Sequence, residues 1–129
     1  MKRSASLQPL SREHHTALTL AKACERAVQS HDMERIGKIC QRAIRAFVDE
    51  LEPHFQIEEQ SLLPLLQGVE IQALVQRTWS DHQQLRELCN GLQQNNMAAL
   101  DSFGKLLSAH VRFEERELFP VLESLLGSA

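Results

Sequence analysis

Apolar residues recur every three or four positions in four long stretches, with short polar breaks between them. That spacing marks one face of an α-helix, so the pattern predicts four amphipathic helices. The first runs from about Ser11, a candidate N-cap, to Ser30, with Leu10, His14, Ala17, Leu18, Ala21, Cys24 and Val28 in phase. The second runs from about Asp32, another N-cap candidate, to Gln67. Ile36, Ile39, Cys40, Ala43, Phe47, Leu51, His54, Glu58, Leu62 and Leu65 share one of its faces. Gly68 breaks the pattern. The third spans about Val69 to Gln94 through Ile71, Leu74, Val75, Thr78, His82, Leu85, Cys89 and Leu92. After Asn95-Asn96 the fourth runs from about Met97 to Leu126, with Leu100, Phe103, Leu107, His110, Glu114, Leu118 and Val121 aligned. Four such helices joined by short turns predict an all-α, up-down-up-down antiparallel four-helix bundle. Pro53, Pro64 and Pro120 fall inside these patterns, and each should kink its helix or mark its end.

The second and fourth stretches repeat each other at a constant offset of 56 residues. Phe47, Leu51, His54, Glu58-Glu59, Leu62 and Pro64 return as Phe103, Leu107, His110, Glu114-Glu115, Leu118 and Pro120. This matches an internal duplication of a helix pair. The polar members of the repeat lie on the apolar stripe. A His and a Glu four apart leave the same side of a helix, so His54 with Glu58, and His110 with Glu114, should both face the core. A buried ionised carboxylate needs a partner, and no Lys or Arg lies on the core stripes of the last three helices. A metal cation supplies the missing charge.

His82 and His14 lie on the apolar stripes of the third and first helices. Residues equidistant from a tight turn sit level in a hairpin. The midpoint of His54 and His82 is Gly68, and that of His82 and His110 is Asn96; that of His14 and His54 falls at 34, close to the Ser30–Asp32 break but not on it, an offset for a kink at Pro53 to absorb. The candidate ligands are therefore His14 (or its neighbour His15), His54, Glu58, His82, His110 and Glu114. Four imidazoles and two carboxylates exceed one tetrahedral zinc. They suit two ions about 3.5 to 4 Å apart, bridged by the carboxylates and an oxo or hydroxo group, with positions left open for a small ligand. Such donors favour iron, with manganese or zinc as substitutes.

Composition narrows the remaining choices. The chain has 129 residues, enough for a single domain over 1–129, with residues 1–9 as a flexible lead-in. A net charge of −3 argues against nucleic acid as a partner. No apolar run reaches the roughly 18 to 20 residues of a membrane span. Three unpaired Cys point to a reducing, cytoplasmic setting, where they act as small core residues. The chain should be a monomer or homodimer. Tyr is absent, so a tyrosyl radical is excluded.

Glu13-His14, His54-x-x-x-Glu58-Glu59 with Pro64, Asp81-His82 and His110-x-x-x-Glu114-Glu115 with Pro120 together resemble the hemerythrin-like (HHE cation-binding) family, from about Leu7 to Leu126. The resemblance implies a four-helix bundle around an oxo-bridged di-iron centre that binds O2 or NO for sensing, detoxification or iron handling. The chain departs from the oxygen carriers of that family. Thr78 and Arg86 occupy the positions one turn from His82, where a carrier has a second histidine, and Glu114 lies four rather than five residues after His110. Two other functions stand beside this one. One is a di-iron oxidase, peroxidase or NO-reducing enzyme. The other is a metal-free helical module, such as a histidine phosphotransfer bundle. Glu59 and Glu115, one step round the helix from the core, are either partners of the histidines or ordinary surface charges.

Overall fold

The computed structural model describes residues 3–126, and among these residues there is no strand. The first helix, Gln8–Ser30, starts earlier than its Ser11 cap predicts. Pro9 opens it, where a missing N–H costs nothing, and Ser11 instead donates to Glu115 Oε2 at 2.8 Å. His31 ends it in the left-handed region (φ 54°). Asp32 caps the second helix as expected, accepting from the Glu34 and Arg35 amides. The third helix, Gln72–Gln93, follows a 3₁₀ turn at Val69–Ile71. Asn96 caps the fourth through the Ala99 amide. The segment at residues 3–9 was expected to be flexible, but it is engaged with the rest of the chain. Leu7 is fully buried, Arg3 pairs with Glu115, and the Ser4 amide donates to Glu123 at 2.7 Å.

The second and fourth helices pass through prolines by widening rather than breaking. Phe47–Leu51, Glu58–Leu62 and Glu114–Leu118 are π-helical turns, each followed by a proline two residues on. The residue before each proline donates five positions back: Glu52 to Phe47, Leu63 to Glu58, Phe119 to Glu114. A proline ring clashes with the carbonyl four back and offers it no N–H, and the wider turn relieves both problems. Only at Pro64 does the helix then end, in the 3₁₀ turn Leu63–Leu65. The extra residue in each turn rotates the following apolar stripe. Leu65 and Val121, expected in the core, are exposed and half-buried respectively, while Leu63, Leu66, Phe119 and Leu122 take the buried positions.

The first and third helices each pack against the second and fourth, which also touch each other. The first and fourth helices approach closely at Gly104, where a Cβ would lie 2.9 Å from Cys24 Cβ and 3.1 Å from the Ala21 carbonyl oxygen. The bundle holds two apolar clusters. One is built around Cys24, Ile36, Leu85, Leu100 and Phe103. The other is built around Leu7, Leu63, Leu118, Phe119 and Leu122. A layer of buried polar residues separates them: His14, His54, Glu58, His82, His110 and Glu114, none more than 5% exposed.

Candidate metal centre

The six polar residues of that layer form two groups of four whose ligand atoms lie within 4.8 Å of one another. His14, His54, Glu58 and Glu114 make one, and Glu58, His82, His110 and Glu114 the other. Both groups use the same two carboxylates, and each adds two imidazoles. Of the adjacent pair His14 and His15, the structure brings His14 into the layer and leaves His15 exposed.

The imidazoles all point the same way. Every Nε2 is turned toward the central carboxylates: His14 to Glu114 at 2.7 Å, His54 to Glu58 at 3.1 Å, His82 to Glu58 at 3.0 Å and His110 to Glu114 at 3.2 Å. The last two pairs are close without being hydrogen-bonded. His82 Nε2, His110 Nε2, Glu58 Oε1 and Glu114 Oε2 are buried and have no partner. Orphaned donors and acceptors at such depth are costly. Their convergence fits a cation, which would satisfy all four at once.

Every Nδ1 is held by a further carboxylate, and always by one from a different helix. Glu13 holds His54 at 2.9 Å, Glu59 holds His82 at 2.7 Å, Asp81 holds His110 at 2.9 Å and Glu115 holds His14 at 2.6 Å. The clamps run from first helix to second, second to third, third to fourth and fourth back to first, closing a ring. Each acid sits beside a central residue of its own helix. This settles Glu59 and Glu115 as histidine partners, and it gives Glu13 and Asp81 a contact that sequence spacing does not reveal. Arginines back three of the four clamps: Arg3 at Glu115, Arg77 at Asp81, and Arg86 at both Glu59 and Glu52. Arg86 therefore occupies its position one turn from His82 as an outer support. Phe55 stacks on His82 with ring centroids 3.9 Å apart, and Phe119 on His14 at 5.0 Å. Phe55 and Phe113 are buried, whereas Trp79 is 39% exposed and lies outside this wall.

A cavity of about 440 Å³ reaches the layer from one side. His14, His54, His110 and Glu114 form its floor, and Arg42, Arg45, Asp49 and Glu50 stand at its mouth.

The family model described as the Hemerythrin HHE cation binding domain matches residues 6–122. The chain belongs to the hemerythrin HHE cation-binding family. Comparison with curated proteins and with solved structures gave no match.

The electrostatics of this HHE chain follow from burying so much charge in one layer. Burial by itself would lower the His54 pKa, but hydrogen bonds to Glu114 and Glu58 overcome it and push the imidazole up to about 11. The same opposition, won by the charge of Glu114 and the hydrogen bond to Asp81, raises His110 to about 10. Glu58 is raised by burial and by the neighbouring charge of Glu114. Burial also works against ionised Glu114, yet the charge of His110 and the surrounding hydrogen bonds hold it well below the usual carboxylate range. Without metal, then, burial and the charge of Glu114 favour the neutral form of Glu58, while His54 and His110 provide positive charge. Glu115, also opposed by burial, is held low by Arg3, Ser11 and His14.

Proposed function

We propose that this HHE protein holds two iron ions in its buried layer and binds a diatomic ligand, O2 or NO, for sensing, detoxification or iron handling. His14, His54, Glu58 and Glu114 would hold one ion; Glu58, His82, His110 and Glu114 the other. The observation that carries this reading is the sharing of Glu58 and Glu114 by two otherwise separate donor groups. Two iron ions would supply the reversible electron donation that no side chain of this protein offers. The rest is the work of the chain. Glu58 and Glu114 bring two negative charges to the centre. The Nδ1 clamps fix each imidazole so that Nε2 is the free ligand atom. Phe55 and Phe119 keep the flanks dry. The cavity reaches His14 and His54, so an incoming molecule arrives on that side. A core metal site fits an up-down-up-down bundle forming one domain. That order is supported by tight turns at His31, Gly68 and Asn95, and by Gly91 meeting Ala99 across the last turn. A cytoplasmic location is supported by the three free cysteines.

Iron analysis and visible absorption of protein purified and iron-loaded without oxygen test the reading. About two irons per chain, with a spectrum that changes on adding O2 or NO, are expected. Protein that takes up no iron refutes it. The size of the cavity favours a second reading, a di-iron oxidase, peroxidase or NO-reducing enzyme. Turnover of peroxide or NO that is lost in Glu58→Ala would select it.

A further inference from the structure

The cavity above the layer is far larger than a diatomic ligand requires. A water-sized molecule occupies about 30 Å³, and about 440 Å³ lies within the range of sites for small organic molecules. Its walls are apolar: Leu20, Ala46, Leu51, Leu107 and Val111 line it between mouth and floor. Arg42 and Arg45 stand exposed at the mouth, and neither has an ion-pair partner among the described residues. Glu13, Asp49 and Glu50 also line the cavity, and Glu13 is engaged with His54 Nδ1.

We propose that this cavity binds a small organic anion with an apolar body, such as a medium-chain carboxylate. Its charged head would pair with Arg42 and Arg45, and its tail would lie along Leu20, Ala46, Leu51 and Leu107 toward His14 and His54. The anion would thus sit beside the diatomic ligand, as a second occupant of the same chamber. This assignment rests on the reading of the floor as the metal centre. The head group follows from the two free guanidiniums, which recognise carboxylates well. The tail follows from the walls, which would otherwise stay wetted apolar surface.

The test is calorimetric titration of the metal-loaded protein with sodium octanoate, with metal content measured on the same sample. Saturable binding of one octanoate per chain is expected, together with a change in the visible spectrum of the centre. Joint replacement Arg42→Gln and Arg45→Gln, both on the exposed surface, should weaken binding about tenfold or more. Ala46→Phe should block it while metal content is retained. Octylammonium, with the same tail and opposite charge, should bind at least about tenfold more weakly. The proposal is overturned if a metal-loaded sample shows no saturable octanoate binding, if octylammonium binds equally well, or if the arginine pair and Ala46→Phe both leave binding unchanged. Absence of metal from the sample would instead sink the di-iron reading; octanoate binding that still depends on the two arginines would keep the cavity assignment standing.

Discussion

Metal loading should expel protons, and the structure says how many. With pKa values of about 11 and 10, His54 and His110 are imidazolium at neutral pH in the metal-free protein. An imidazolium has no lone pair for a metal, so His54 and His110 must each lose a proton on ligation. Full loading at pH 7 should therefore release about two protons per chain from these imidazoles. Each displaced proton makes the apparent affinity change about tenfold per pH unit, so loading should strengthen about a hundredfold per unit near neutrality. Anaerobic calorimetry with Fe(II) in buffers of different ionisation enthalpy counts the protons, and chelator competition at several pH values gives the slope. Release of fewer than one proton would refute the reasoning, because the imidazoles would then be neutral in the metal-free core. The same groups set how metal-free stability varies with pH. Their folded pKa values lie above the ordinary 6.5, so their stabilisation is complete below that value and is lost as pH rises toward about 10 to 11. Glu114 acts oppositely: its contribution is present above 4.5 and lost as pH falls. The metal-free Tm should thus decline from pH 7 to pH 10, a slope that the metal-loaded protein should lack.

Three further outcomes follow from features away from the two shared carboxylates. Glu59→Ala frees His82 Nδ1 and removes one of the two carboxylates that hold Arg86, and should weaken metal binding about 10- to 100-fold while exposed Glu87→Ala leaves it unchanged; equal affinities in a chelator competition would count against the clamp. Gly104→Ala places a methyl 2.9 Å from Cys24 Cβ and 3.1 Å from the Ala21 carbonyl oxygen, and should destabilise by about 1–3 kcal/mol in urea unfolding. No loss would mean that the first and fourth helices part easily. Burial pushes the Cys24 thiol up to about 12 and the Cys89 thiol to about 11, and also raises Cys40. A thiol-specific reagent at pH 8 should label the native chain slowly and all three thiols rapidly in denaturant; rapid native labelling of Cys24 would show that the upper core opens.

The residues that make the layer could be read from the sequence because their pattern is one-dimensional. A histidine and a glutamate on an apolar stripe, repeated at an offset of 56, announce buried charge, and the turn midpoints place His54, His82 and His110 level, with His14 near them. Two kinds of feature escaped that reading. The π turns at Glu58–Leu62 and Glu114–Leu118 shift the register after each proline, so Leu65 and Val121 left the core and Leu63 and Leu122 entered it. A kink at Pro64 and Pro120 was foreseeable, whereas a widened turn depends on which carbonyl the preceding amide finds. The clamps escaped for a different reason. Glu13 stands beside His14 in the chain but holds His54, and Asp81 stands beside His82 but holds His110. Adjacency marked the right residues while concealing their partners. The cavity has no counterpart in any residue pattern, since it is the space left where the first, second and fourth helices diverge.

The closed ring of clamps bears on how such a chain could have arisen. Glu13 to His54 and Asp81 to His110 are links within each half of the molecule, but Glu59 to His82 and Glu115 to His14 cross between halves. Neither half can hold all its own histidines. If both halves descend from one helix pair, that ancestor had a complete centre only when two copies met, with each lending a carboxylate to the other. Fusion into one chain then replaced a meeting that depended on concentration with one built into the polypeptide.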